Sequence, residues 1–201
     1  MDIKIFDDEL EGIWNDFELL QYRLSNELEE RLNALIKQPK EQLDDESYLK
    51  IMFMKGMRYE EQENKNAARY CAMRMLAIQE CIANPRKKRP RLLDIKGYTC
   101  NEDMLMFIDR YTDFLEDTYK NINRRLAMII GVLFLVVFVI LFLVLDIPFF
   151  VAAIESLMIG MFTYLLQKRR MPAMFQKNQL KAIEKYVEET VLEFDRVYRY
   201  M

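Results

Sequence analysis

The chain has 201 residues, 30% of them charged, with a net charge of −3, five glycines, five prolines and no histidine. The acidic balance argues against a bulk nucleic-acid binder. The lack of histidine removes the commonest general base and metal ligand, and no glycine-rich phosphate loop, GxSxG or Walker pattern is present, so neither an enzyme nor a bound cofactor or metal is expected. With so few glycines and prolines and no alternating β-branched runs, the chain reads as all-α.

The N-terminal segment Met1-Asp2-Ile3-Lys4-Ile5-Phe6 lacks a basic stretch followed by an apolar core, so no cleavable signal peptide is expected. A first helix is predicted from about Asp7 to Lys37, carrying Leu10, Trp14, Phe17, Leu20, Leu24, Leu28, Leu32 and Leu35 at steps of three and four and closed by Pro39. A second helical region opens at Asp44-Asp45-Glu46-Ser47, presents Tyr48, Leu49, Met52, Phe53 and Met57, and resumes through Ala67, Cys71, Met75, Ile78 and Ile82 to Pro85. The polar stretch Glu60 to Asn66 reads equally as a solvated face or a break. Asp7-Asp8-Glu9 and Asp44-Asp45-Glu46 lack EF-hand spacing and mark helix starts. Cys71, Cys81 and Cys100 show no CxxC pairing and read as packing residues.

Residues 1–97 are thus expected to form a helical cytoplasmic domain with a basic loop over 85–91. Prolines flank Arg86, Lys87, Lys88 and Arg89, and Arg91 extends the run. Three readings compete: a nuclear-localisation or nucleic-acid patch, a contact with anionic lipid worth about 1 kcal/mol per base near headgroups, and a plain solvated loop. The first suits a chain with membrane spans poorly. Over 98–126 a juxtamembrane helix opens at Thr99-Cys100-Asn101-Glu102, which has the form of a capping box, and shows Met104, Ile108, Tyr111, Leu115, Thr118 and Ile122 along one stripe.

Two hydrophobic runs follow, 127–145 and 147–166, each roughly 28–30 Å long as a helix, the thickness of a bilayer's hydrocarbon core. A single helix over 127–166 would be about twice too long, so the chain is expected to cross, turn at Asp146-Ile147-Pro148, and cross back, with Asp146 as N-cap and Pro148 in the first turn of the second span. Lys120, Arg124 and Arg125 precede the first span and Lys168, Arg169 and Arg170 follow the second. The turn has no base, so both termini are expected on the cytoplasmic or organelle-matrix side. Residues 167–201 read as a C-terminal amphipathic helix with Leu180, Ile183, Val187, Thr190, Phe194, Val197 and Met201 stepping by three and four. This stripe and the juxtamembrane one are expected to leave the membrane side by side, and either form a coiled coil, within one chain or between several, or pack as two helices of an ordinary helical domain. The expected fold is an all-α membrane protein: a two-span transmembrane helical hairpin with a helical cytoplasmic domain and coiled-coil-like juxtamembrane helices.

The first span is uniformly apolar and suits an outer, lipid-facing position. The second places Ala152, Ser156 and Gly160 four apart, continues with Thr163 and Gln167, and carries Glu155 near mid-bilayer, while neither span supplies a base. An ionised carboxylate exposed to lipid there costs several kcal/mol, so Glu155 must be protonated, hydrogen-bonded across an interface, or facing water. In a ring of hairpins the second helix would line the axis and Glu155 would form a ring of acids that favours cations. Alternatively, Glu155 is a neutral acid bonded to Ser156, Thr163 or Tyr164 of a neighbour and only fixes the assembly.

In this layout, over roughly 101–201, the chain resembles the small two-helix membrane effectors of bacterial conflict systems, the SLATT type. The resemblance is one of architecture and carries over no residue roles. The order helix, span, short turn, span, helix is also similar to mitochondrial calcium uniporter pore subunits, but the turn Leu145-Asp146-Ile147-Pro148 lacks their acidic signature, and the Gly-Met-Asn of CorA-type magnesium channels is absent. The expected function is a homo-oligomeric membrane channel or membrane-perturbing effector. A non-conducting anchor whose cytoplasmic helices bind a protein partner is the alternative.

Overall fold

The computed structural model describes residues 3–37, 44–83 and 101–200, and among these every regular element is helical. In chain order they are α1 (Ile3–Leu19), α2 (Asn26–Ile36), α3 (Asp45–Glu61), α4 (Lys65–Ala83), α5 (Glu102–Val139) with a π-helical turn Ile140–Val144, α6 (Phe149–Ile183), a 3-10 turn Glu184–Tyr186, and α7 (Glu189–Tyr200). The chain divides into two units. One comprises Met1–Thr112 with Leu180–Met201, and the other Asp113–Gln179.

The expected first helix is two. It breaks at Leu20–Ser25, where Gln21 and Tyr22 take φ of 55° and 62°, and Ser25 caps α2 by accepting from the Leu28 amide at 3.3 Å. The left-handed pair folds α2 back on α1 and brings the Tyr22 ring to 5.5 Å from Phe17 and 5.8 Å from Phe53. Leu20, in the predicted apolar stripe, lies on the turn and is exposed. Packing of three rings against Trp14 is what stabilises the strained turn.

The polar stretch that the sequence leaves open is a break. Glu63 has φ of 59°, and Asn64 starts α4 by accepting from the Ala67 amide. Asp44 caps α3 through the Ser47 amide at 2.7 Å. At the head of α5 the cap is Asn101, whose side chain accepts from the Met104 amide at 2.9 Å, while Thr99 and Cys100 lie outside the described residues. The basic run 86–91 lies outside them as well.

Helices α3 and α4 form the closest pair and the centre of the first unit's core, with Tyr48, Ile51, Met52, Phe53, Ala68, Cys71 and Met75 fully buried. Burial pushes the Cys71 thiol far up, so it packs as an inert apolar group. The head of α5 inserts Met104, Phe107 and Ile108 into the same core. Phe107 sits edge-on to Phe53 at 5.5 Å and directly over Gly56, where an added Cβ would lie 2.5 Å from its Cζ.

The C-terminal segment differs from the single three-heptad helix expected over 167–201. Helix α6 passes through Pro172, which lacks the amide for one rung, and ends at Ile183; the chain then tightens to 3-10, extends at Val187 and restarts as α7. Rather than running on as a coiled-coil strand, α7 docks on the N-terminal helices. Asp195, fully buried, accepts from Tyr48 at 2.6 Å, Tyr70 at 2.7 Å and the Arg74 Nε at 2.7 Å. Burial, then the Asp195 charge, raises the Tyr48 phenol well above its usual range, so it stays a donor. Tyr48 also stacks on Phe194 and Tyr198.

Before α7, the fully buried Lys55 amine joins Glu29 at 3.1 Å and Glu188 at 3.0 Å, the Tyr59 hydroxyl accepts from the Glu188 amide, and Asn64 donates to the Tyr186 carbonyl. Arg58 shares Glu29 at 2.7 Å.

Two substitutions test this core, with the only tryptophan, buried Trp14, as the fluorescent probe of unfolding in detergent solution. Asp195→Asn leaves the buried Arg74 without its counter-charge and is expected to cost about 3–5 kcal/mol. Gly56→Ala drives a methyl into Phe107 and is expected to cost about 1–3 kcal/mol. A midpoint unchanged in either variant contradicts this account of the core.

Candidate functional site

Among the described residues two helices are long and apolar enough to cross a membrane, Glu102–Val144 and Phe149–Lys168. In the second unit they lie antiparallel. Near the turn Phe138 and Phe142 stack at 5.8 Å and meet Phe149 edge-on at 5.4 and 5.9 Å. Further along, the Gly160 position lies 3.7 Å from Ile130 Cγ2 and 3.9 Å from Phe134 Cβ, measured from an added Cβ. Beyond the apolar stretch Tyr119 meets Phe175 at 6.1 Å.

The turn departs from expectation. The backbone ends α5 in a π-helical turn, Asp146 takes φ of 53°, and the Pro148 carbonyl accepts from the Val151 and Ala152 amides. Pro148 therefore occupies the cap position expected of Asp146, which serves instead as the left-handed residue that reverses the chain.

The row Ala152, Ser156 and Gly160 is buried and faces the first helix of its own chain. This face, expected along an oligomer axis, is used instead for close packing within the hairpin, because small side chains let α5 and α6 approach. Ser156 Oγ donates to the Ala152 carbonyl at 2.6 Å and Thr163 Oγ1 to Ile159 at 2.8 Å, so both hydroxyl protons are satisfied within α6. Buried in its own hairpin, Ser156 is unavailable to a pore or to a neighbouring copy's Glu155. Gln167 is exposed at the end of the apolar stretch.

Glu155 is exposed. One residue before Ser156, it points about 100° away from the packed face. It shares its side of α6 with Val151, Met158, Ile159 and Phe162, all exposed and apolar. An acid on such a surface has neither a base nor a hydroxyl of its own hairpin to meet. At the far end of the stretch the Lys168 amine lies 5.6 Å over the Tyr164 ring, a cation–aromatic pair that spacing alone did not bring out. Among the described residues no cluster of Cys, Asp or Glu is arranged to hold a metal ion. Comparison with protein-family models, curated proteins and solved structures gives no match to the chain.

Substitutions at Gly160 test the packed face. An alanine Cβ there meets ordinary contact distances, so Gly160→Ala is expected to be nearly neutral. Gly160→Leu must displace Ile130 or Phe134 and is expected to destabilise the helical pair by about 1–3 kcal/mol. Val132→Leu, on an exposed position of α5, is expected to stay within about 0.5 kcal/mol. Circular dichroism during thermal unfolding in detergent reads all three, and equal effects of Gly160→Leu and Val132→Leu contradict the assignment.

Proposed function

We propose that the chain is an integral membrane protein acting as a homo-oligomeric, cation-conducting channel, in which two-span hairpins meet along the Glu155 side of α6. The observation that carries this reading is the position of Glu155, exposed on an apolar helix and turned away from its own hairpin. A carboxylate in that place facing lipid costs several kcal/mol, and a second copy or a hydrated axis removes the cost. Since the small-residue row is occupied within each hairpin, the contact between copies falls on Val151, Glu155, Met158 and Phe162. A ring of acids there attracts cations and repels anions.

Both ends of the chain belong to one folded unit through the Asp195 bonds to Tyr48, Tyr70 and Arg74, which supports an even number of crossings. The bases on both sides of the spans favour a cytoplasmic or matrix location for that unit.

A second reading, a membrane anchor that binds a protein partner, draws support from the α1–α2 turn. There Leu19 is 81% exposed beside a recess of about 300 Å³ lined by Asp16, Leu20, Ser25, Glu27, Leu28 and Arg31.

Recording from reconstituted bilayers separates the two. Glu155→Gln preserves shape and hydrogen bonding, so oligomer size in detergent is expected to persist while cation over anion selectivity falls. Protein that assembles yet passes no current in any condition moves the conclusion to the anchor. Topology is read on a cysteine-free background: reporters at Glu18→Cys and Arg196→Cys are expected to label only after permeabilisation, and one at Asp146→Cys from outside. Opposite accessibility of the first two overturns the hairpin topology.

A further inference from the structure

Acidic residues are absent between Thr118 and Leu145 on α5 and between Ser156 and Ile183 on α6, while most of the bases in these stretches gather where the apolar zone ends and Lys177 and Lys181 follow further along α6. Lys120, Arg124 and Arg125 stand on α5, and Lys168, Arg169 and Arg170 on α6. The contacts of the helical pair fix their level. Gly160 lies against Ile130 and Phe134 on one side and Tyr119 against Phe175 on the other, and the antiparallel register between these points sets Arg124 and Arg125 alongside Lys168 to Arg170. Lys168 and Arg170 lie about 200° apart around α6, so the exposed bases spread around the pair rather than line one groove. Arg124, Arg125, Lys168 and Arg170 are exposed. Lys120 pairs at 3.7 Å with Asp117, one turn further from the apolar zone.

Bases concentrated at one level repel one another unless anions stand between them. The level itself selects the anion. Lys168 rests its amine over Tyr164, the last aromatic of the apolar stretch, so the charge lies where hydrocarbon gives way to headgroups. We infer that this basic collar binds the phosphates of anionic phospholipids, holding a shell of them around each hairpin. The inference rests on the membrane placement proposed above but not on conduction.

The test uses the full chain reconstituted in vesicles of phosphatidylcholine alone and of an equimolar mixture of phosphatidylcholine and phosphatidylglycerol. The protein is then excised with its surrounding lipid by a membrane-solubilising copolymer and the lipid ratio measured. Wild type is expected to retain phosphatidylglycerol above the bulk ratio, on the order of fivefold for each site where a base engages a headgroup, and to lose the enrichment as salt is raised. The triple variant Arg124→Gln, Arg125→Gln, Arg170→Gln is expected to return most of the way to the bulk ratio, whereas Arg23→Gln, an exposed base of the other unit, changes nothing.

Insertion into both vesicles with phosphatidylglycerol at the bulk ratio overturns the collar and leaves the membrane placement standing. Failure to insert into either overturns both. Enrichment that survives in the triple variant but disappears when the run Arg86 to Arg91 is neutralised also overturns the collar. If the triple variant does not insert, the wild-type salt series decides, and a salt-independent enrichment counts against the inference.

Discussion

The first unit depends on one buried carboxylate. Asp195 has no contact with solvent, and it is tolerated because two phenols and a guanidinium, from three positions on α3 and α4, meet its two oxygens at 2.6 to 2.7 Å. An ion pair so placed gains little over an apolar side chain of the same volume, but a mispacked one is costly, so its effect is to specify how α7 docks. Lys55 repeats the arrangement a few residues earlier, fully buried between Glu29 of α2 and Glu188 of the segment leading into α7. Together they hold the end of the chain against its beginning. The long apolar pair α5 and α6 leaves from that closed unit and returns to it.

The second unit follows a different constraint. Its surface is largely Val, Leu, Ile, Met and Phe exposed at 40 to 80%, a composition that water does not favour over so broad an area. Within it the small residues of α6 serve the hairpin's own packing, and its hydroxyls bond their own carbonyls. Glu155 is left as the one acid within the apolar stretch of α6, and the proposed assembly is an answer to that single residue. From Phe149 to Gln179 α6 covers about 46 Å, against about 30 Å for a hydrocarbon core, so the pair extends well past the apolar zone and the basic collar marks the boundary.

The helical class and the two apolar runs were legible because 3.6-residue periodicity and a length of about twenty apolar residues are strong local signals. The break at Leu20–Ser25 was not, since neither glycine nor proline marks it: Gln21 and Tyr22 accept left-handed backbone only because the Tyr22 ring is repaid by contact with Phe17 and Phe53. The same holds for Glu63 and Asp146, whose positive φ comes from the packing of the helices they join. Asp195 looked like one more polar residue of an amphipathic helix, and nothing in its local sequence announces partners more than 120 positions away. Four-residue spacing marks Ala152, Ser156 and Gly160 as one face of α6, but periodicity cannot say whether such a face meets the same chain or another.

The separation between Tyr48 and Asp195 is 147 residues, and both candidate spans lie between them. On a ribosome, α3 and α4 emerge and pair long before their acid exists, so Arg74 and the two phenols must stay hydrated, and the core above them stays loose, until the apolar hairpin has already been made. Maturation of the first unit is therefore ordered in time: the greasy segments are disposed of first, and the domain that flanks them in sequence closes last. A chain that ends before α7 lacks Asp195 altogether, so the docking that these bonds specify is available only to a chain synthesised past both apolar helices.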